Sequence, residues 1–311
     1  MKKEAIAPWL VVGAGILWGT MGIFVRHFNA MGLTSLQISA IRLTVAAVVF
    51  LLSLLLEKKD GRKIDKKDIG WFLLIGIFSV FAMSVCYFSS ITLGSLAMAA
   101  ILLYTAPFFV LICSCLLFGE KITWVKGIAL VTAFAGCVLV VGMGQGRFWG
   151  IFFGLLSGIS YASYSIFGTI LLKKYSSLTI TAISFSIAAV VTLLCCNAGD
   201  MVAKLTEAGS VGTFFWCLGL GLITAAMPFS LYTIGLKNMA AGKAAILAFI
   251  EPMVAALLGA TLFNEMLGIS GVFGVLLILF AVVLLNGKEK ILQNKIIFTF
   301  FEKDIAIFAI L

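Results

Sequence analysis

The chain has 311 residues, 62% of them hydrophobic and only 11% charged. A soluble domain of this length carries roughly a quarter charged residues, so a water-soluble globule is excluded and a bilayer is the expected solvent. The formal net charge of +9 raises nucleic acid as a partner, but the placement of the basic residues gives the excess another origin, and no nucleic-acid partner is expected.

A helix needs about 20 apolar residues to cross the hydrocarbon core. Ten segments qualify: 8–27, 34–56, 69–91, 95–118, 123–142, 149–172, 178–197, 211–236, 240–263 and 268–286. Pro8 suits the first turn of span 1, where its missing N–H is not needed. That segment ends without a small-residue cleavage site, so it reads as a retained span and not a signal peptide. Spans 5 and 10 carry almost no polar side chains in their middles and are expected to form a lipid-facing rim. Spans 1, 4, 6 and 9 are expected at the centre. Stretch 287–311 is interrupted by Lys288, Glu289, Lys290, Lys295, Glu302, Lys303 and Asp304. It reads as a tail or a surface helix, not an eleventh span.

With ten spans both termini fall on one side. That side receives Lys2, Lys3, the run from Lys58 to Lys67, Lys121, Lys126, Lys173, Lys174, Lys237, Lys243 and the basic residues of the tail, whereas the other receives only Arg26, Arg147 and Lys204. Basic loops stay in the cytoplasm, so both termini are expected there, in a multi-pass protein of the plasma or inner membrane.

The segment 87–120 recurs at 232–265, with Tyr87 on Tyr232, Pro107 on Pro252 and Glu120 on Glu265. Upstream, Gly15, Trp18, Thr20, Ile23 and Phe24 match Gly158, Tyr161, Ser163, Ile166 and Phe167. The unit is thus five spans, 1–142 and 149–286, followed by a tail, 287–311. Five is odd, so the second copy enters the membrane upside down. The expected fold is an all-α integral membrane protein of ten transmembrane helices in two inverted five-helix repeats. Such halves can exchange inward-open and outward-open shapes around a shared site.

These features carry a resemblance. Five-plus-five spans, Leu17-Trp18-Gly19 in span 1, Ile41-Arg42-Leu43 in span 2, and an AP/EP-to-GE/NE segment in each half resemble the EamA-type drug/metabolite transporters. The resemblance covers about residues 8–286. It implies a ten-helix carrier, often an exporter of amino acids or other small metabolites, and does not identify the solute. Asn264-Glu265, where that family usually has Gly-Glu, and the tail from Lys288 depart from its pattern.

Only one acidic residue, Glu251, and one basic residue, Arg42, fall in the middle of a span. A charge there costs about 2.5–3.5 kcal/mol on insertion scales, so each must face protein or water. Three readings compete: a structural Arg42–Glu251 pair, direct binding of a charged solute, or a Glu251 that carries a proton. Pro107, Pro228 and Pro252 lack the N–H that would bond the carbonyls of Leu103, Thr224 and Ala248. These kinks are expected to line the pathway. Tyr104, Tyr161 and Trp18 offer apolar area with one hydrogen-bonding tip. The expected substrate-binding set is therefore Trp18, Arg42, Tyr104, Tyr161 and Glu251. Tyr87 and Tyr232, nearer their helix ends, read more simply as interfacial anchors.

A single histidine, His27, and seven cysteines without a CxxC pair leave no metal or cofactor expected. No HExxH, GxSxG or Walker sequence occurs, so neither catalysis nor ATP-driven pumping is expected. The expected activity is secondary transport, export by resemblance, of a small metabolite such as an amino acid, with protons as a candidate coupling ion. A carrier of a lipid-linked or amphiphilic drug-like substrate is the alternative, then a channel or a membrane sensor. The oligomeric state is not legible.

Overall fold

The computed structural model describes residues 2–56, 64–94, 96–142, 147–209, 211–263 and 268–285. Glu265, Lys58, Lys59, Arg62, Lys63 and the whole tail, 287–311, lie outside the described residues. Those described contain helices and no strands. Nine helices among them are long and apolar enough to cross a membrane: α1 (Ala5–Ala30), α2 (Ser35–Leu56), α3 (Lys66–Leu93), α4 (Met98–Phe118), α5 (Trp124–Val141), α6 (Phe148–Leu171), α7 (Ser177–Cys195), α8 (Val211–Lys237) and α9 (Ala241–Leu262). The apolar helix α10 (Ile269–Leu285) is shorter, at 17 residues or fewer. Between α7 and α8 lies a short helix, Ala198–Glu207, that exposes Val202 and Glu207 and buries Met201.

Local chemistry sets several boundaries. Thr123, Ser176 and Asn197 cap α5, α7 and the short helix, accepting from the backbone N–H three residues on, which satisfies a donor the helix start leaves orphaned. Gly119 ends α4 with φ of +66°, a left-handed C-cap that a Cβ would penalise. The first helix begins by Lys2, so Pro8 lies inside it and not in its first turn. The bond it forgoes belongs to Glu4, near the helix end.

Five of the long helices are interrupted, α1 at Thr20 and four others at places that match. The α4 ladder breaks between Leu103 and Ala106 and the α9 ladder between Leu247 and Ile250, each just ahead of Pro107 or Pro252. π-helical turns occupy Leu74–Ala82 in α3 and Leu222–Ala226 in α8. With the 145-residue offset of the repeat, both kinds of irregularity fall at matched places.

The close contacts between helices come in matched pairs too. A Cβ on Gly15 of α1 would stand 3.4 Å from the Ala248 carbonyl of α9, and one on Gly158 of α6 would stand 2.7 Å from Leu102 O and 3.3 Å from Leu103 O of α4. A Cβ on Gly76 of α3 would stand 2.8 Å from Ser184 O of α7, and one on Gly221 of α8 would stand 3.3 Å from Arg42 O of α2. Small residues admit this approach, which drives helix association where lipid removes the hydrophobic incentive. The Leu103 and Ala248 carbonyls, loosened by Pro107 and Pro252, thus lie against glycines of α6 and α1. Helices α2 and α7 also match: Ser35-Leu36-x-Ile38-Ser39-Ala40-Ile41 stands against Ser177-Leu178-x-Ile180-Thr181-Ala182-Ile183. The match places Ser184 where α2 has Arg42.

Helices α5 and α10 touch at Gly136 and Gly274, where a Cβ on Gly136 would stand 2.7 Å from Gly274 O. Both expose apolar side chains outward, Val131 and Ile128 on one, Phe273 and Leu276 on the other.

Ionic clasps tie the connections at each end. Lys174 bridges Asp65 at 3.1 Å and Asp68 at 2.5 Å, with Tyr175 donating to Asp68. This joins the α2–α3 and α6–α7 connections at the end of the bundle rich in lysine. There Glu120 accepts from the Ala241 N–H at 2.8 Å and pairs with Lys126 at 3.2 Å, joining the start of α9 to the end of α4. At the opposite, far end, Asp200 accepts from Gln37 and Lys204, and Lys204 donates to Gly32 O.

Candidate functional site

A cavity of about 120 Å³ lies in the middle of the bundle. Trp18, Arg42, Tyr104, Tyr161 and Glu251, the five residues expected from sequence to bind solute, all line it. They come from α1, α2, α4, α6 and α9; α3 adds Met83, Ser84, Tyr87 and Phe88, and α8 adds Phe229. Helices α5, α7 and α10 do not reach it.

Arg42 is 7% exposed. Its Nη2 donates to the Thr224 carbonyl at 3.1 Å. Pro228 has no N–H to give that oxygen, so a sequence-local defect in α8 becomes an anchor for a cation on α2. The guanidinium carbon stands 5.9 Å from the centre of the Phe229 ring, within cation–π reach. Its Nε–H is buried with no protein partner. Glu251 sits in the first turn of the second piece of α9, and Tyr104 shares the cavity wall with it. Tyr104 itself lies in the break of α4. The interruptions of α4 and α9 therefore bring both residues to the cavity.

The ion pairs among the described residues join Lys126 to Glu120, Lys174 to Asp65 and Asp68, and Lys204 to Asp200. Arg42 and Glu251 share the cavity wall without forming one. The structural-pair reading of these two residues therefore does not describe this conformation. A buried charge lacking a close counter-charge is costly, and Arg42 is held by the neutral Thr224 carbonyl instead.

Trp18 meets Phe229 edge-on at 5.1 Å and Tyr161 at 6.4 Å between ring centres. Its indole N–H is buried and unpartnered. The wall thus offers two free donors, one carboxylate and six aromatic side chains.

Tyr87, expected as an interfacial anchor, lies in the cavity wall, as do Phe229 and Ser84. The π-turn of α3 sets the rotation of the residues after it, which a straight-helix reading cannot anticipate. The repeat held the signal, because Tyr87 matches Tyr232. Tyr232 is buried as well but sits nearer the lysine-rich end, where its hydroxyl bonds Ser165 at 2.7 Å while Tyr164 bonds Thr233 at 2.8 Å. With Phe185 against Phe229 at 4.7 Å, these pairs floor the cavity on that side. Pro107, Pro228 and Pro252 are buried but are not among the cavity walls. Their neighbours Leu103, Phe229 and Glu251 are, so the prolines position the lining and do not form it. Among the described residues no group of three or more His, Cys, Asp or Glu side chains could hold a metal ion.

In the clasps at the two ends of the bundle, carboxyl and amine are pulled toward their charged forms. A backbone bond from Lys67 and then Lys174 hold Asp65 below the ordinary carboxylate value, while Asp68 and Asp65 raise Lys174 above the ordinary amine value. Asp200 is likewise held down by Lys204 and Gln37.

A profile of the EamA-like transporter family matches residues 5–142 and, again, residues 148–287. An uncharacterized transporter of Archaeoglobus fulgidus is 31% identical over 279 residues, covering 90% of this chain and 95% of that one. The uncharacterized inner membrane transporter YedA of Escherichia coli K12 is 27% identical over 283 residues, 88% of either chain. A protein of known crystal structure shares the fold, with a TM-score of 0.74 at 17% identity over 90% of this chain and 96% of that one.

Proposed function

Because this chain belongs to the EamA-like transporter family, we propose that it is a secondary carrier which moves a small metabolite, such as an amino acid, by alternating access around the cavity at Arg42 and Glu251. One observation carries the reading: residues from α1, α2, α4, α6 and α9, far apart in sequence, converge on a single buried cavity with opposite charges held apart and donors left free. A buried, unpaired arginine and glutamate is an expensive arrangement that a solute with complementary charges would relieve.

The architecture proposed for it is ten transmembrane helices, α10 included, in two inverted units, 1–142 and 149–286. The matched helix breaks, the matched π-turns and the paired glycine contacts support it. Two such halves give a carrier its second shape without new contacts, because each half can adopt the packing of the other. The lysine excess supports a cytoplasmic position for both termini and the tail 287–311. The membrane is the inner one, as in the relatives' names, and the direction is export. Glu251 is the acidic residue of the cavity wall, so proton coupling runs through this carboxyl.

Counterflow in proteoliposomes tests the proposal, using pooled labelled amino acids and small metabolites with and without a pH gradient. Saturable exchange of one class, accelerated by the gradient, is the expected result. Flux without saturation or counterflow would make the protein a channel. Binding without flux would make it a sensor. Exchange that ignores the gradient would remove protons from the cycle.

A further inference from the structure

Phe88 belongs to two walls. On one side it closes the central cavity; on the other it lines a second pocket of about 350 Å³ with Leu36, Val85, Thr92, Leu93 and Phe153. This pocket lies toward the far end, since α3 runs away from the lysine-rich end through Val85 to Leu93 and α2 and α6 both begin there. We infer that the two form one bipartite site, and that the solute is an amphiphile whose zwitterionic head occupies the charged cavity and whose apolar tail passes Phe88 into the second pocket. The inference rests on the reading that the central cavity binds the solute.

The division of chemistry supports it. In the second pocket the hydroxyls are already spent within α3: Ser89 donates to Val85 O at 2.9 Å and Thr92 to Phe88 O at 3.0 Å. The remaining walls are hydrocarbon, so this pocket rewards an apolar group and offers a polar one little. In the central cavity the Trp18 and Arg42 Nε donors have no partner and Glu251 supplies the opposite charge. Size points the same way. Sites that bury most of a drug-sized ligand measure about 300–1,000 Å³; the central cavity, at 120 Å³, falls short of that range alone and enters it when joined to its neighbour. A head group suits the smaller space and a chain of several methylenes the larger.

The test uses straight-chain 2-amino acids from norvaline to 2-aminodecanoate, which keep one zwitterionic head and lengthen only the tail. Binding is measured calorimetrically on protein in nanodiscs, with empty nanodiscs titrated in parallel to remove partition into lipid. The expected result is a Kd that falls about threefold to fourfold per added methylene. V85W and, independently, L36W fill the second pocket and should abolish that gradient while leaving norvaline binding unchanged. A gradient that is flat in the wild type, or equally steep in both filled variants, would overturn the inference; the latter outcome would leave the pocket to a bilayer acyl chain. If norvaline and every longer member fail to bind, the central cavity itself is not a solute site and the proposed function falls with it.

Discussion

Arg42 on α2 donates to the carbonyl oxygen of Thr224 on α8 across 3.1 Å, and Pro228, four residues on, has no N–H to offer that oxygen. A proline reads locally as a kink. Here it exports a hydrogen-bond acceptor to another helix and so fixes a charged side chain in the middle of the bundle. A hydrogen bond involving a charged group contributes about 1.5–3 kcal/mol. R42L leaves the Thr224 oxygen buried and unpaired and is expected to reduce counterflow by about 10–100-fold on that basis. R42K is expected to recover little, because the guanidinium reaches Thr224 with Nη2 while facing Phe229. P228A returns an N–H to α8 that competes for the same oxygen. Its expected signature is a changed apparent KM with expression retained; loss of both together would point to plain packing.

Since Arg42 and Glu251 are not paired in this conformation, the double variant R42L/E251L is expected to be no more active than the weaker single variant. Restored folding or transport in the double variant would show that the two charges neutralise each other after all. Tyr104 and Glu251 share the cavity wall, so Y104F and E251Q should be non-additive, with a coupling of about 0.5–3 kcal/mol in a double-mutant cycle read from kcat/KM. Strict additivity would mean that the two side chains act independently in the working protein.

Gly158 and Gly127 offer a matched test of packing. A Cβ on Gly158 would press 2.7 Å from Leu102 O, whereas one on Gly127 would meet nothing within 4 Å. G158A is expected to destabilise the bundle by about 1–3 kcal/mol. G127A, in an open part of α5, is expected to be neutral or to stabilise by about 0.5–1 kcal/mol through helix propensity. Thermal unfolding in detergent compares the two directly. Equal melting temperatures for both variants would mean that the α4–α6 contact yields easily.

The Lys174 clasp predicts a pH window. Asp65 titrates below its ordinary value of 3.8 when folded, so its contribution is present above that value and fades as pH falls through the lower, folded one. Lys174 titrates above its ordinary 10.5, so its share is complete below that value and is lost only as pH rises through the higher, folded one. K174A should therefore melt below the wild type across the neutral range. The gap should close under strong acid, where the clasp is already protonated in both proteins. Raised salt should narrow the gap too, because the lysine is about half exposed and its pairs are screened. A gap constant with pH would assign the effect of K174A to something other than the clasp.

Much of this protein is readable from residue order, because lipid leaves a sequence few choices. Spans must be long and apolar, so the nine helices long and apolar enough to cross a membrane among the described residues, and the shorter apolar α10, stand within a few residues of where hydropathy places them. A charge in mid-span must face protein or water, so residue type and position alone mark Arg42 and Glu251 as cavity residues. The repeat likewise marks the matched helix breaks. Rotation and partnership cannot be read in the same way. Tyr87 faces the cavity and Tyr232 floors it although they match in sequence, because the π-turns of α3 and α8 set the phase of each helix and Trp18, Tyr164 and Ser165 surround only one of them. Nor does residue order say that Pro228 serves Arg42, or that Arg42 and Glu251 stay apart. Those facts depend on how closely α2 approaches α8 and α6 approaches α4. Glycine contacts between elements remote in sequence set those distances, so only the assembled bundle decides them.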